Sequence, residues 1–356
     1  MAPFSSSMVA IRMQPTSTLK PIEVDKTTRE EDSFTMEANV DEEWSVGVVP
    51  NGGYLVALMI QACSTVQRDT PHDEPVYLST QYLGSSTSGP CTITVKRVKR
   101  NNDFSNIVAA LVQKGRTNIH CQVIYGTLPL ANHSLRGIHP APISLMHRQA
   151  PTRRCPLVTH PSKCTFSPFT RPFSFSKYLV QAIDPYYLKL LEKRGNGYSA
   201  TNPMDLGGGG STWGGWYQQL DQRDFITLQM LSFLGDIVPE LLPESVAKER
   251  DAMWFPTLAM SVDFKHRPSM PNNETPGIAS RTVGIFVTMR YLIEGRYEAT
   301  SEIWTAPCAI GEGMEEEGWQ DKMYCLASVT QSAMTVPAMV NFNKSKRNGD
   351  RSASKL

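Results

Sequence analysis

The chain has 356 residues, with 35 Lys and Arg against 34 Asp and Glu. So even a balance excludes a general binder of nucleic acid or acidic membranes. Its seven cysteines are scattered, odd in number and without a CxxC pair, which excludes a disulfide framework and a zinc motif.

Residues 1–20 hold Arg12, Lys20 and several Ser but no acid, and read as a disordered tail. With no secretory signal there, a reducing interior compartment is the expected setting. Residues 22–43 mix charged and β-forming side chains and lead into an expected strand, Trp44–Val49. Asn51-Gly52-Gly53 is a turn signal at a helix entrance. The run from Tyr54 to Val66 is apolar nearly all round, which predicts a buried helix too short to span a bilayer. Four strands are expected next, over 76–83, 92–98, 106–114 and 118–126, two of them joined at Gly115-Arg116-Thr117.

Residues 130–177 are rich in Pro, Ser, Thr, His and Arg without a sustained period, and read as a partly disordered linker. Cys155, His160 and Cys164 fit no zinc spacing there and are expected to be loop residues. Gly207–Gly210 lacks the Lys-Ser/Thr of a phosphate loop. A second block follows: a strand over 215–220, a largely apolar helix over 225–242 broken near Pro239, and a strand over 257–264. A hairpin over 281–305 and a closing strand over 323–334 complete it. Both halves therefore run strand, buried helix, strand and three more strands, an internal duplication at the level of structure. The expected domains are 21–129 and 178–340. Residues 341–356 form a polar, basic tail.

A buried helix cradled by a curved antiparallel sheet, twice in one chain, is the α+β double hotdog. The chain resembles the acyl-CoA thioesterase II family, in a fungal-type peroxisomal branch. Three stretches carry the likeness: Asn51-Gly52-Gly53-Tyr54 before the apolar helix, Pro256–Phe264 with His266-Arg267-Pro268, and Leu326–Gln331. The resemblance implies hydrolysis of an acyl-CoA to free acid and CoA, with no metal and no cofactor. It implies that Asp236, Thr257 and Gln331 orient a water. Asp236 serves as the base, with a raised pKa if desolvated, while Thr257 and Gln331 hold the water. Gly52 and Gly53 offer backbone N–H groups to the oxyanion at the helix entrance. The family often has a polar residue where this chain has Ala259, which leaves the register of that strand open.

His266 and Arg267 are expected to be loop structure, with contact to CoA phosphates as the alternative. Arg223 and Asp224 are expected to face solvent. The first half offers no Asp, Thr and Gln at corresponding positions, so one site per chain is expected, in the second half. No G-x-S-x-G elbow is present, which disfavours a serine hydrolase. Two other readings stay open: a hydrolase of secondary metabolism acting on a polyketide or other specialised thioester, and a non-catalytic acyl-CoA-binding hotdog. Ser354-Lys355-Leu356 matches the address read by the peroxisomal import receptor, so the expected location is the peroxisome. The resemblance also leaves room for a homo-oligomer.

Overall fold

The computed structural model describes residues 3–9, 12–13, 32–128, 153–169, 173–195, 211–237, 253–270 and 275–337. Residues 130–152 of the expected linker, Gly207–Gly210 and the tail with Ser354, Lys355 and Leu356 lie outside them.

The first half opens with a short helix, α1 (Pro3–Val9), and a strand pair, β1 (Arg12–Met13) and β2 (Ser33–Val40). A small hairpin, β3 (Ser45–Val46) with β4 (Val49–Pro50), leads into α2 (Gly52–Gln67). Four strands follow: β5 (Glu74–Tyr82), β6 (Gly89–Arg100), β7 (Ser105–Gln113) and β8 (Arg116–Gly126). The second half repeats the plan. It runs β9 (Leu179–Ile183), α3 (Pro185–Gly195), β10 (Ser211–Gln219), α4 (Leu228–Asp236), β11 (Met253–Trp254) and β12 (Thr257–Phe264). β13 (Thr282–Ile293), β14 (Arg296–Thr305), β15 (Cys325–Met334) and β16 (Val336–Pro337) complete it.

Twelve strands form one sheet in the order β1-β2-β6-β7-β8-β5-β12-β15-β14-β13-β10-β9. Each half contributes the same series, strand before the helix, three meander strands, strand after it, and the two series meet antiparallel where β5 pairs β12. A sheet that edge-pairs with its own repeat covers both inner edges, which would otherwise template association. The helices α2 and α4 lie against each other inside this sheet and share one apolar core with strands from both halves. This is the expected double hotdog.

α2 is buried along its length for the reason its sequence gives: no polar face is left to meet water. Asn51 caps it, its side-chain oxygen accepting from Tyr54 N at 2.9 Å. Two glycines set the packing of the helix pair against its surroundings. A Cβ on Gly53 would overlap the Ser232 carbonyl oxygen of α4 and lie 2.9 Å from Phe233 Cα; a Cβ on Gly235 would lie 2.9 Å from Val329 Cβ of β15.

Several expectations need correction. The strand before α2 is Ser33–Val40, not Trp44–Val49. Asp41 caps a single 3-10 turn that carries Trp44 into the core, and Gly47, at φ 63°, turns the β3–β4 hairpin. The second helix starts later than expected, after the Thr227 cap, and runs to Asp236; residues 238–242 of the expected helix lie outside the described residues. Asp224 does not face solvent: it is 1% exposed and accepts from Phe4 N at 2.8 Å and Ser5 Oγ at 2.7 Å. It thereby docks α1, whose Phe4 ring packs on Trp44, Tyr54 and Phe233, so residues 3–9 are no free tail. Arg223 pairs with Asp221 at the surface.

Residues 153–169 are packed structure too. Cys155, Leu157 and Cys164 are buried in a second apolar cluster with Trp216, Trp304 and Trp319. The organiser is Asp184, fully buried, which accepts from Val158 N at 2.7 Å and from Thr159 N and Oγ1 at 2.9 and 2.7 Å. Pro, Ser and Thr give no period to such a segment because a buried acid and three Trp rings, all distant in sequence, hold it.

Candidate active site

Asp236 is the last residue of α4, set against the first turn of α2. Its Oδ2 accepts from Gly53 N at 2.8 Å, and its Oδ1 accepts from Gln331 Nε2 at 2.7 Å and from Thr257 Oγ1 at 3.3 Å. The three residues named from sequence thus meet, and the entrance glycines join them. The carboxyl group is enclosed by protein although the residue keeps some exposed surface. Loss of hydration disfavours the charged form and pushes its pKa up to about 6. The donors from Gly53, Thr257 and Gln331, and the Asn51 side chain, pull the other way without cancelling that effect.

Each side chain reaches the site for a local reason. Gln331 sits on the inward face of β15, in alternation with Val329 and Ala333. A Gln at a core position of an alternating strand needs buried partners, and it finds Asp236 and, at 3.3 Å, the Gly235 carbonyl. Thr257 is different. Met260, Val262 and Phe264 form the inward face of β12, so strict alternation turns Thr257 outward with Ala259 and Ser261. The register shifts between Thr257 and Ala259, and this bulge re-aims Thr257 toward Asp236. The open question raised by Ala259 is answered by that irregularity.

Two expected roles change. Gly53 was expected to receive an oxyanion, but its N–H is committed to Asp236 Oδ2. Its lack of a side chain serves the close helix crossing. Thr257 and Gln331, expected to hold a water, gain a further part: each spends one donor on Oδ1 and so fixes the plane of the carboxylate, and each keeps an acceptor oxygen for a water. Gly52 remains available. No described residue accepts from its N–H, and a Cβ on Gly52 would lie 3.1 Å from the Tyr82 ring and hydroxyl and 3.2 Å from Asp236 Oδ2. Both groups stand at a helix N-terminus, where the dipole favours negative charge.

Sequence reasoning missed Asn51 and Tyr82 as parts of the site. Asn51 had a visible signal, a cap residue before an apolar run. Tyr82 had only its inward place in the alternation Leu78, Thr80, Tyr82. The expected location in the second half is also modified: the acid, Thr257 and Gln331 come from the second half, and Asn51, Gly52, Gly53 and Tyr82 from the first. At the other end of the helix pair, Gln229 Nε2 donates to Gln61 Oε1 at 2.9 Å. A neutral pair stands there, consistent with a single acid site. His266 and Arg267 stand at the far end of β12 from Thr257. His266 Nδ1 is 2.8 Å from the Cys325 carbonyl oxygen, and Arg267 forms an ion pair with Glu74. Both side chains thus have structural partners within the chain.

Residues 40–127 match the family described as the acyl-CoA thioesterase N-terminal domain. The thioesterase-like protein TwmA of Talaromyces wortmannii is 31% identical over 86 residues, 24% of this chain and 24% of that protein. An uncharacterised protein of Mycobacterium tuberculosis is 30% identical over 105 residues, 29% of this chain and 35% of its own. The chain thus spans about a quarter to a third of the length of these curated relatives. Solved structures cover far more of it. An acyl-CoA thioesterase II of Mycobacterium marinum superposes with a TM-score of 0.56 at 13% identity, over 85% of this chain and 93% of that one. A hot dog fold protein of Alicyclobacillus acidocaldarius superposes with a TM-score of 0.57 at 14% identity, over 87% and 95%. The chain as a whole therefore shares the hotdog fold of these solved structures, and the stretch from 40 to 127 in its first half is similar to the acyl-CoA thioesterase N-terminal domain.

Proposed function

We propose that this protein is an acyl-CoA thioesterase that hydrolyses its substrate with a water activated by Asp236. The observation that carries the reading is the carboxyl group itself: enclosed, with its pKa pushed up to about 6, and held by three donors beside an open helix start. An acid so placed is a base poised for neutral pH. We place the water on the remaining lone pair of Oδ2, beside the Gly52 backbone. Its oxygen attacks the thioester carbon while its proton passes to Asp236. The carbonyl oxygen becomes an oxyanion facing the Gly52 N–H and the positive end of α2. Collapse breaks the carbon–sulfur bond, and the CoA thiolate leaves with the proton from Asp236. Thr257 and Gln331 keep the carboxylate in one orientation through both transfers, which removes an entropic cost from the attack.

The test is release of free thiol from a panel of acyl-CoAs, short to long and branched, by the purified protein. Turnover of one length class supports the reading. Silence across the panel in folded protein refutes acyl-CoA hydrolysis and directs the search to carrier-bound or specialised thioesters, or to binding without turnover.

The pH dependence has a definite sign. Asp236 must be ionised to act and its pKa is raised to about 6. Activity is therefore constant above that value and kcat/KM falls about tenfold per pH unit below it. A rate that is flat down to pH 4.5 removes Asp236 as the base.

For localisation, we propose a peroxisomal address in Ser354-Lys355-Leu356. Deleting these three residues is expected to leave the protein in the cytosol with thiol release unchanged. Continued import of the truncated chain, followed by microscopy of a tagged protein, counts against the address.

A further inference from the structure

We propose that the Tyr82 hydroxyl is a catalytic donor of this site, hydrogen-bonding the substrate carbonyl oxygen as that oxygen takes up negative charge. The proposal rests on the thioesterase reading and adds to it a residue from the first half. Tyr82 is the last residue of β5 and follows Leu78 and Thr80 on the inward face of that strand. Its hydroxyl is shut off from solvent and has no hydrogen-bond partner among the described residues. A buried hydroxyl without a partner is rare and calls for a reason, such as a group that occupies the site only in action. The position supplies that reason. A Cβ on Gly52 would lie 3.1 Å from the hydroxyl and 3.2 Å from Asp236 Oδ2, so both polar atoms converge on the Gly52 backbone. An oxygen bound to Asp236 Oδ2 beside the Gly52 backbone therefore has the hydroxyl as a neighbour, and so does the thioester carbonyl that it attacks.

The count of donors points the same way. A tetrahedral oxyanion is held best by more than one donor. With the Gly53 N–H committed to Asp236, the backbone offers the Gly52 N–H, and Tyr82 provides a second. Burial, with the Asp236 charge as a smaller contribution, raises the Tyr82 pKa well above its ordinary value, so the hydroxyl keeps its proton to donate. The arrangement also gives the first half a chemical part. The base comes from α4 and the donor from β5, and β5 lies beside β12 at the seam of the two repeats.

The experiment compares wild type, Tyr82→Phe and Asp236→Asn in thiol release. It also measures binding of an alkyl-CoA thioether, which has the chain and the CoA but no carbonyl. Tyr82→Phe keeps the ring and removes a hydroxyl bonded to nothing, so its melting temperature is expected to equal or exceed that of wild type. Its kcat is expected to fall about 100- to 1,000-fold, the effect of losing one oxyanion donor. KM, thioether binding and the acid limb near pH 6 are expected to stay as in wild type. Turnover within threefold of wild type overturns the proposal, as does a loss of thioether binding as large as the loss of turnover. A Tyr82→Phe protein that fails to fold overturns it as well, since the hydroxyl then has a structural task. The two readings fail differently. Loss of turnover in Asp236→Asn with none in Tyr82→Phe sinks the donor alone, whereas a wild type that releases no thiol from any acyl-CoA sinks both.

Discussion

Asp236→Asn is expected to lower thioester turnover by 100- to 10,000-fold, the range for loss of a general base. In free energy this is roughly 3 to 5 kcal/mol of barrier. The side chain keeps its size but can no longer take a proton. Its amide oxygen can serve only one side: with that oxygen on the Gly53 N–H, Gln331 and Thr257 must turn their own acceptor atoms to its NH2 group. Thiol release at saturating substrate checks the prediction, and a rate within tenfold of wild type means the base lies elsewhere.

The same variant makes a second, independent statement through stability. The folded protein binds the Asp236 proton more tightly than the unfolded chain does, since the pKa rises from 3.8 to about 6 on folding. The stabilising contribution of protonated Asp236 is complete below the unfolded value near 3.8. It is lost as pH rises through about 6. Above that window the ionised, enclosed carboxylate is a burden. Relative to Asp236→Asn, wild type should therefore lose stability steadily between pH 4 and 6.5. Thermal melts of both proteins across that range measure it; parallel curves show that the carboxyl is not desolvated.

Gly53→Ala is expected to be the most damaging single methyl group in the core. The new Cβ meets the Ser232 carbonyl oxygen, Asp236 Cβ at 2.6 Å and Phe233 Cα at 2.9 Å. None of these is the end of a flexible chain, so α2 and α4 must separate. Overpacking of this kind costs about 1 to 3 kcal/mol, and the upper end applies where backbone must move. Separation also pulls the Gly53 N–H away from Oδ2, so activity falls with stability. Gly52→Ala is the contrast. Its Cβ meets the Tyr82 ring and hydroxyl at 3.1 Å and Asp236 Oδ2 at 3.2 Å, all side-chain atoms. It should melt near wild type yet lose turnover, because the methyl crowds Asp236 Oδ2 and the Tyr82 hydroxyl on the side where the water is proposed to bind. Equal melting temperatures for wild type and Gly53→Ala contradict the crossing described above.

Much of the fold is legible in the residues. A helix with no polar face must be buried, and the run from Tyr54 to Val66 says so directly. Alternation marked most of the sheet, and Thr257–Phe264 is a strand over those same residues. Two such blocks in order imply the duplication. The partners of the second half's insertion and of the N-terminal helix were not legible. Phe4 is anchored by Asp224 some 220 positions away, and Val158 by Asp184, contacts that no local pattern records.

The candidate site divides along the same line. Asp236, Thr257 and Gln331 were found through resemblance, since each alone reads as an ordinary residue of its element. What each one does was decided by tertiary structure. A bulge beside Leu258 turns Thr257 inward against its own alternation. A glycine that looked like a turn residue lets two helices approach until a backbone N–H of one meets the carboxylate of the other. The seam between β5 and β12 brings Tyr82 to the base. Sequence by itself determines which segments must leave water, because that follows from side-chain polarity at a fixed local period. It does not determine which polar groups share the space left inside, because that depends on distances between elements far apart in the chain.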